Sequence, residues 1–384
     1  FRNILPSFGG VVNCFTRGIR YIVIIFIGVK AFHALPGYLK RRRGGKEKPN
    51  VFMKKICLLL ACVICAFSIG CTPKSDKTLV RVNEVTHSIF YAPLYAAIER
   101  GFFAEKGLEI ELTNGGGADK SMTALLSGSA DIGLMGPEAA MYVILGGKEN
   151  APQVFAQLTK RDGSFLISRT AEPEFNWTGL DGKEFIAGRK GGVPAMTLEY
   201  LLKEKGYTNG RNVTLNFDIQ FNLTAAAFEG GTGDYCTLFE PTASEFEKAG
   251  KGHVVASVGE ASGEVPYTCF MALGKYIDDN RETVVAFTEA LKKAYEFLKT
   301  ASEEEIANAL REQFPGTSDE SIVASIRRYT EIDAWAEHFT MKKSALDRLC
   351  SIMTSAGELS EKVDYDKLVR TDISDMICGK IQDN

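Results

Sequence analysis

Thr123-Ala-Leu-Leu-Ser-Gly-Ser-Ala-Asp131 and Thr224-Ala-Ala-Ala-Phe-Glu-Gly-Gly-Thr-Gly-Asp234 stand about a hundred residues apart and read alike. Each is the end of a helix, a turn of small residues, and an aspartate at the mouth of an apolar strand. The neighbouring punctuation repeats as well: Pro93 recurs as Pro194, Asp131 as Asp234 and Pro137 as Pro241, at offsets of 101, 103 and 104. A near-constant offset across three elements points to an internal two-fold duplication.

The elements around these stretches alternate. Leu79–Val85 predicts a strand, Pro93–Phe103 a helix ended by Gly107, Leu108–Leu112 a strand, Asp119–Leu126 a helix and Ala130–Met135 a strand, with Pro137 opening the next helix. The second pass gives strands at Glu184–Ala187, Val213–Ile219 and Gly233–Phe239. Its helices carry Leu198, Leu201 and Leu202, then Thr224–Phe228, and Pro241 opens another. Alternation of this kind predicts an α/β fold with mostly parallel sheets covered on both faces. Two such lobes leave a ligand cleft between them, lined by loops beyond the carboxyl ends of the strands. After the strand Tyr267–Leu273 the pattern turns helical. Val284, Phe287, Leu291, Ala294 and Leu298 form one apolar stripe, and Ser302–Glu305 and Thr317–Glu320 predict capping boxes. Such a helical C-terminal tail is expected to pack on the first lobe and across the hinge.

The 384 residues carry a net charge of −3, with 45% apolar and 24% charged residues, which is ordinary globular composition with no nucleic-acid footprint. Met53–Cys71 (MKKICLLLACVICAFSIGC) has two lysines, an uncharged run from Ile56 to Ile69 too short to span a bilayer, and Ser-Ile-Gly before a cysteine. It predicts a lipoprotein signal peptide with Cys71 as the lipidated residue, followed by a polar tether over 72–78. Residues 1–52 are expected to be a non-native leader translated from upstream sequence: the run Arg41–Lys48 can be written in purine-only codons, as in a ribosome-binding region ahead of Met53. Of nine cysteines, Cys236, Cys269, Cys350 and Cys378 fall in the expected mature body. None has metal-type spacing. Cys350 with Cys378 is the one pair to consider for a disulfide, and isolated buried thiols fit better.

The run Phe90-Tyr-Ala-Pro-Leu-Tyr-Ala-Ala-Ile-Glu-Arg-Gly-Phe-Phe-Ala-Glu-Lys-Gly-Leu-Glu109, with Asn114–Gly117 and Leu126-Ser-Gly-Ser-Ala-Asp-Ile-Gly133, resembles the SsuA/THI5-like (NMT1) family over roughly Leu79–Leu273. The resemblance implies a type II periplasmic-binding-protein fold with two hinge crossings: lobe 1 from 79–174 and 267–384, the latter including the tail, and lobe 2 from 175–266. It implies a monomeric, cofactor-free, lipid-anchored receptor on the outer membrane face. That receptor captures a sulfonate-, taurine-, nitrate- or thiamine-pyrimidine-precursor-like solute and hands it to an ABC permease and its ATPase.

Candidate ligand residues sit on the predicted cleft loops. Ser88, Phe90 and Tyr91 follow the first strand, where a hydroxyl and flat rings suit a small solute, though core packing would use the same rings. Asn114, Gly116 and Gly117 precede a helix, where free backbone N–H groups would favour an anion. The string Gly115–Ser121 is not a P-loop, because Asp119 replaces the glycine before Lys120. Arg189 and Gly192 are the second-lobe counterpart and add cations for a sulfonate, nitrate or carboxylate. Gly136, Glu138 and Glu240 lie at strand-to-helix corners, and Asp162 joins them. These carboxylates would cap helices or take an amine or a pyrimidine ring. Tyr267 completes the set. The carboxylates and the cations argue for opposite ligands, so the charge of the solute stays open.

No GxSxG, HExxH or Cys/His constellation is present, and no catalytic or metal-ligating residue is expected. A pyrimidine-synthesis enzyme of the same resemblance would need a cysteine-rich motif that is missing after Cys71. A ligand-presenting sensor subunit would need the same cleft and anchor as an importer's receptor.

Overall fold

The structure, a computed structural model, describes residues 77–381. The leader, the signal segment, Cys71 and most of the tether lie outside the described residues.

Among the described residues, ten strands form two five-stranded sheets. They are β1 (Thr78–Glu84), β2 (Leu108–Asn114), β3 (Ile132–Met135), β4 (Pro152–Thr159), β5 (Phe165–Ser168), β6 (Glu184–Ile186), β7 (Thr214–Asn216), β8 (Tyr235–Leu238), β9 (His253–Ser257) and β10 (Thr268–Leu273). The first sheet has the order β2-β1-β3-β10-β4 and the second β7-β6-β8-β5-β9. In each, three parallel strands are joined by an antiparallel strand from beyond the repeat, β10 against β3 and β5 against β8.

The repeat extends to single hydrogen bonds. Arg81 N–H donates to Asp131 Oδ2 at 2.9 Å and Asp131 N–H donates to Arg81 O at 2.8 Å. In the second sheet Glu184 N–H donates to Asp234 Oδ2 at 2.8 Å and Asp234 N–H donates to Glu184 O at 2.8 Å. The aspartate that marks the repeat in sequence is therefore the residue that ties the third strand of each lobe to the first.

Several boundaries differ from the sequence reading. The first helix is broken into Ala92–Glu99 and Phe102–Glu105 because Gly101 takes a left-handed φ of 74° between them, and Gly107, at 72°, follows the second piece. The strand expected over Val213–Ile219 stops at Asn216, whose Oδ1 accepts the Asp218 N–H at 3.1 Å and turns the chain. Ser318, not Thr317, caps the helix Asp319–Glu331, whereas the capping box at Ser302 and Glu305 forms with both bonds. The first lobe crossing falls at 160–164, ahead of the expected boundary at 174/175, because β5 already belongs to the second sheet. Phe165-Leu-Ile-Ser168 is a short strand buried throughout, and such a run carries no period to announce it.

The two crossings run side by side. Val265 N–H donates to Lys160 O at 3.0 Å and Tyr267 N–H to Thr159 O at 3.2 Å. The tail braces them: the Tyr329 hydroxyl donates to Gly163 O at 3.0 Å and accepts the Glu240 N–H at 2.9 Å, and the Trp335 indole donates to Phe90 O at 2.9 Å. The main apolar core runs from the first sheet through the tail to the inner face of the second, where Phe165 and Ile167 join it. Leu166 faces the other way, into a smaller cluster with Leu198, Leu202 and Val213. Cys236, Cys269 and Cys350 are buried free thiols and Cys378 is a half-buried one, so Cys350 and Cys378 are not paired. Among the described residues no helix is long and apolar enough to cross a membrane.

Candidate functional site

A cavity of about 430 Å³ opens between the lobes, beyond the carboxyl ends of β1, β3, β6 and β8. Both halves of the repeat contribute to it. From the first come Val85, Thr86, Tyr91, Gly116, Gly117, Asp119, Lys120, Gly136 and Glu138. From the second come Gly188, Arg189, Gly192, Val193, Phe217, Asp218, Phe221 and Phe239, while Tyr267 and Thr268 rise from the second crossing. The volume suits a small molecule rather than a peptide.

Glu138 is the most buried charged group of the cavity, with 2% of its surface exposed. It begins the helix Glu138–Leu145, and its carboxylate folds back over Gly136, where a Cβ would lie 2.0 Å from Oε2. Only glycine leaves that space. Oε2 has no hydrogen-bond partner. Burial pushes the carboxyl up to about 7, opposed by nearby backbone N–H groups, Val193 among them, and by the Arg189 guanidinium. Arg189 reaches across from the second lobe and lies 3.8 Å from Asp119.

Five rings, Tyr91, Phe217, Phe221, Phe239 and Tyr267, line the cavity. The Phe239 ring packs against Phe221 at 5.3 Å and Tyr267 at 6.3 Å between centroids, each pair tilted, so that the three rings make a continuous aromatic lining. The Tyr267 hydroxyl is buried, with the Asp162 carboxyl beside it.

Of the residues predicted from sequence, the cavity brings together Tyr91, Gly116, Gly117, Gly136, Glu138, Arg189, Gly192 and Tyr267. Five are placed elsewhere. Ser88 caps the turn Ile89–Tyr91 and donates its hydroxyl to Glu240 O at 2.5 Å, joining the lobes through their backbones. Phe90 is fully buried among Tyr91, Phe239, Tyr267 and Tyr329. Asn114 is exposed, with Oδ1 accepting the Gly116 N–H at 2.8 Å. Asp162 is buried in the first crossing, where Oδ1 accepts the Ser164 N–H and hydroxyl at 2.7 and 2.6 Å. Glu240 is fully buried and satisfied: Oε1 pairs with Arg328 at 2.6 Å and Oε2 accepts the Ser244 N–H at 2.8 Å. The helix-capping reading of Glu240 is the correct one, with Arg328 added.

Sequence reasoning missed Phe217 and Asp218, because apolar alternation ran the strand through them, and Phe221 just beyond its expected end; Asn216 before Asp218 was the available turn signal. It also missed Asp119 as a cavity group. Among the described residues no cluster of three His, Cys, Asp or Glu side chains is placed to hold a metal ion.

Comparison with known proteins agrees with this geometry. A model of the NMT1-like family matches residues 85–311. A Bacillus subtilis (strain 168) protein, YtlA, which bears a binding-protein name, is 42% identical over 311 residues, covering 81% of this chain and 93% of its own. Among solved structures, the periplasmic nitrate-binding protein NrtA from Synechocystis PCC 6803 aligns with a TM-score of 0.65 at 17% identity, over 78% of this chain and 89% of that one. The alkanesulfonate-binding protein SsuA from Xanthomonas axonopodis pv. citri, bound to MOPS, aligns at 0.61 and 15%, over 77% and 99%. A Staphylococcus aureus ligand-binding component of an ABC-type import system, with zinc bound, aligns at 0.65 and 16%, over 79% and 100%. At such identities the likeness speaks for the fold: two lobes of the periplasmic-binding-protein type.

Proposed function

The chain belongs to the NMT1-like family, and on that footing we propose that it is the extracytoplasmic solute-binding component of an ABC import system. It captures one small molecule between its lobes and presents it to a permease. One observation carries this reading: a cavity of about 430 Å³ is lined by corresponding loops of both halves of the repeat. A solute touching both halves favours the arrangement in which they meet, and the permease recognises that shape. The reading assigns the site binding and no chemical step. It places the protein on the outer face of the cell membrane as a monomer, held by a lipid on Cys71.

The test is a melting series of the purified protein with sulfonates, taurine, nitrate, carboxylates, amines and pyrimidines. A solute at a hundred times its dissociation constant adds about 2.7 kcal/mol to stability. A rise with one class supports the reading, and deletion of the gene then abolishes uptake of that solute. No rise with any class overturns it.

A further inference from the structure

Three features of this cleft would ordinarily favour an anion, the glycine loop, the helix N-terminus and Arg189, and acceptors of the chain itself lie beside them. In the glycine loop ahead of the helix Ala118–Leu126, the Gly115 N–H donates to Glu84 O at 2.8 Å and the Gly116 N–H to Asn114 Oδ1 at 2.8 Å. These two loop N–H groups are thereby engaged within the chain, Gly115 with the end of β1 and Gly116 with the Asn114 side chain of its own loop. The guanidinium of Arg189 lies 3.8 Å from Asp119. Asp119 Oδ1 itself rests over Gly117, 2.8 Å from where a Cβ would stand. A carboxylate thus holds the place between the glycine loop, the helix N-terminus and the arginine that a bound anion would take. The pair is half exposed, so its strength is modest. Its position is what matters.

The inner end of the cavity has the opposite need. Glu138 is 2% exposed and its Oε2 has no partner. A buried carboxylate oxygen left unpaired is costly, and a ligand donor relieves that cost. The cavity's two cations, Arg189 and Lys120, face three carboxylates, Asp119, Glu138 and Asp218, and Arg189 already has its partner. An anion driven to the inner end would meet the buried Glu138 carboxyl, whereas an N–H-rich cation would find there an unpaired oxygen to donate to and, in the aromatic lining, ring faces that attract it.

We infer that the cleft selects a small solute with a positively charged, N–H-rich head, an ammonium, amidinium or guanidinium, on a flat apolar body, and that Asp119 sets this selectivity by standing where an anionic solute would bind. The inference rests on the solute-binding reading above and names the class of solute.

The experiment uses three probes with one ring and different heads: benzamidine, benzoate and benzenesulfonate. Each is titrated by calorimetry into the full protein and into Asp119→Asn and Glu138→Gln. Wild type should bind benzamidine about tenfold tighter than either anion. Glu138→Gln should lose about tenfold for benzamidine, and Asp119→Asn, at an exposed position, should gain about tenfold for both anions at unchanged melting temperature. The inference is overturned if either anion binds wild type as tightly as benzamidine, or if Asp119→Asn leaves anion binding where it was. Absence of benzamidine binding at millimolar concentration also overturns it. The solute-binding reading survives that last result if any member of the broader melting panel stabilises the protein, and falls only if none does.

Discussion

Burial raises the carboxyls of Glu138 and Asp162 to about 7 each, from ordinary values of 4.5 and 3.8. The folded protein therefore holds these two protons up to about pH 7, while the unfolded chain releases them near pH 4. Between those limits the folded state binds more protons, so its stability falls as pH rises, by about 3 kcal/mol for Glu138 and about 4 kcal/mol for Asp162. Glu138→Gln, which cannot ionise, should flatten part of that slope in the solute-free protein. Its melting temperature should match wild type near pH 4 and exceed it at pH 8. A difference that does not change with pH would refute the assignment. Glu138 could be found in the sequence because it follows a strand and a Gly-Pro corner. Glu240 stands at the matching corner of the second lobe, and the match misled: Arg328, 88 residues away, turns one into a buried ion pair and leaves the other open to solute. Local sequence could not supply that difference, since it depends on where the tail packs.

The strand-tying aspartates extend the duplication from pattern to bonding, and they also show where it has diverged. Asp131 is a mostly buried side chain, 14% exposed, that receives the Arg81 Nε at 3.0 Å and Nη2 at 2.5 Å besides the strand N–H. Asp234 keeps the strand N–H but is 43% exposed and has only Lys183 at 3.4 Å. Charge-assisted bonds to a partly buried carboxylate contribute more than one backbone bond near solvent. Asp131→Ala should cost about 2–3 kcal/mol and Asp234→Ala about 1 kcal/mol. Urea midpoints of the two variants would read the gap, and equal costs would contradict the view that the first lobe's copy is the stronger. The alternation, the repeat and the helical tail were legible because helix and strand periods survive without tertiary context. The buried strand Phe165–Ser168 and the early end of β7 were not, since one has no period and the other is cut by a single side-chain-to-backbone bond.

At the scale of the whole molecule, the lobes touch away from the crossings as well as at them. The loop 188–192 of the second lobe meets the first lobe where the Tyr142 hydroxyl donates to Gly191 O at 2.9 Å. The tail meets the second lobe through Lys203 and Ser355 at 3.1 Å and through the exposed pair Lys190 and Glu358 at 3.9 Å. The exposed pair adds little. The tyrosine bond is half-buried and joins the first lobe to the residue before Gly192, which lines the cavity; in the proposed receptor it forms when the lobes meet and breaks when they part for solute entry. A bond of this kind contributes about 1 kcal/mol to the arrangement that makes it, about fivefold in an equilibrium. Tyr142→Phe keeps the ring and removes the bond. Solute release followed by stopped-flow fluorescence should therefore speed up about fivefold, with association little changed, because affinity differences within one site appear mainly in dissociation. Unchanged release would mean that Tyr142 does not hold the lobes together. Slower association with normal release would instead place the residue on the entry path, and the closing contact would then have to be sought in the tail.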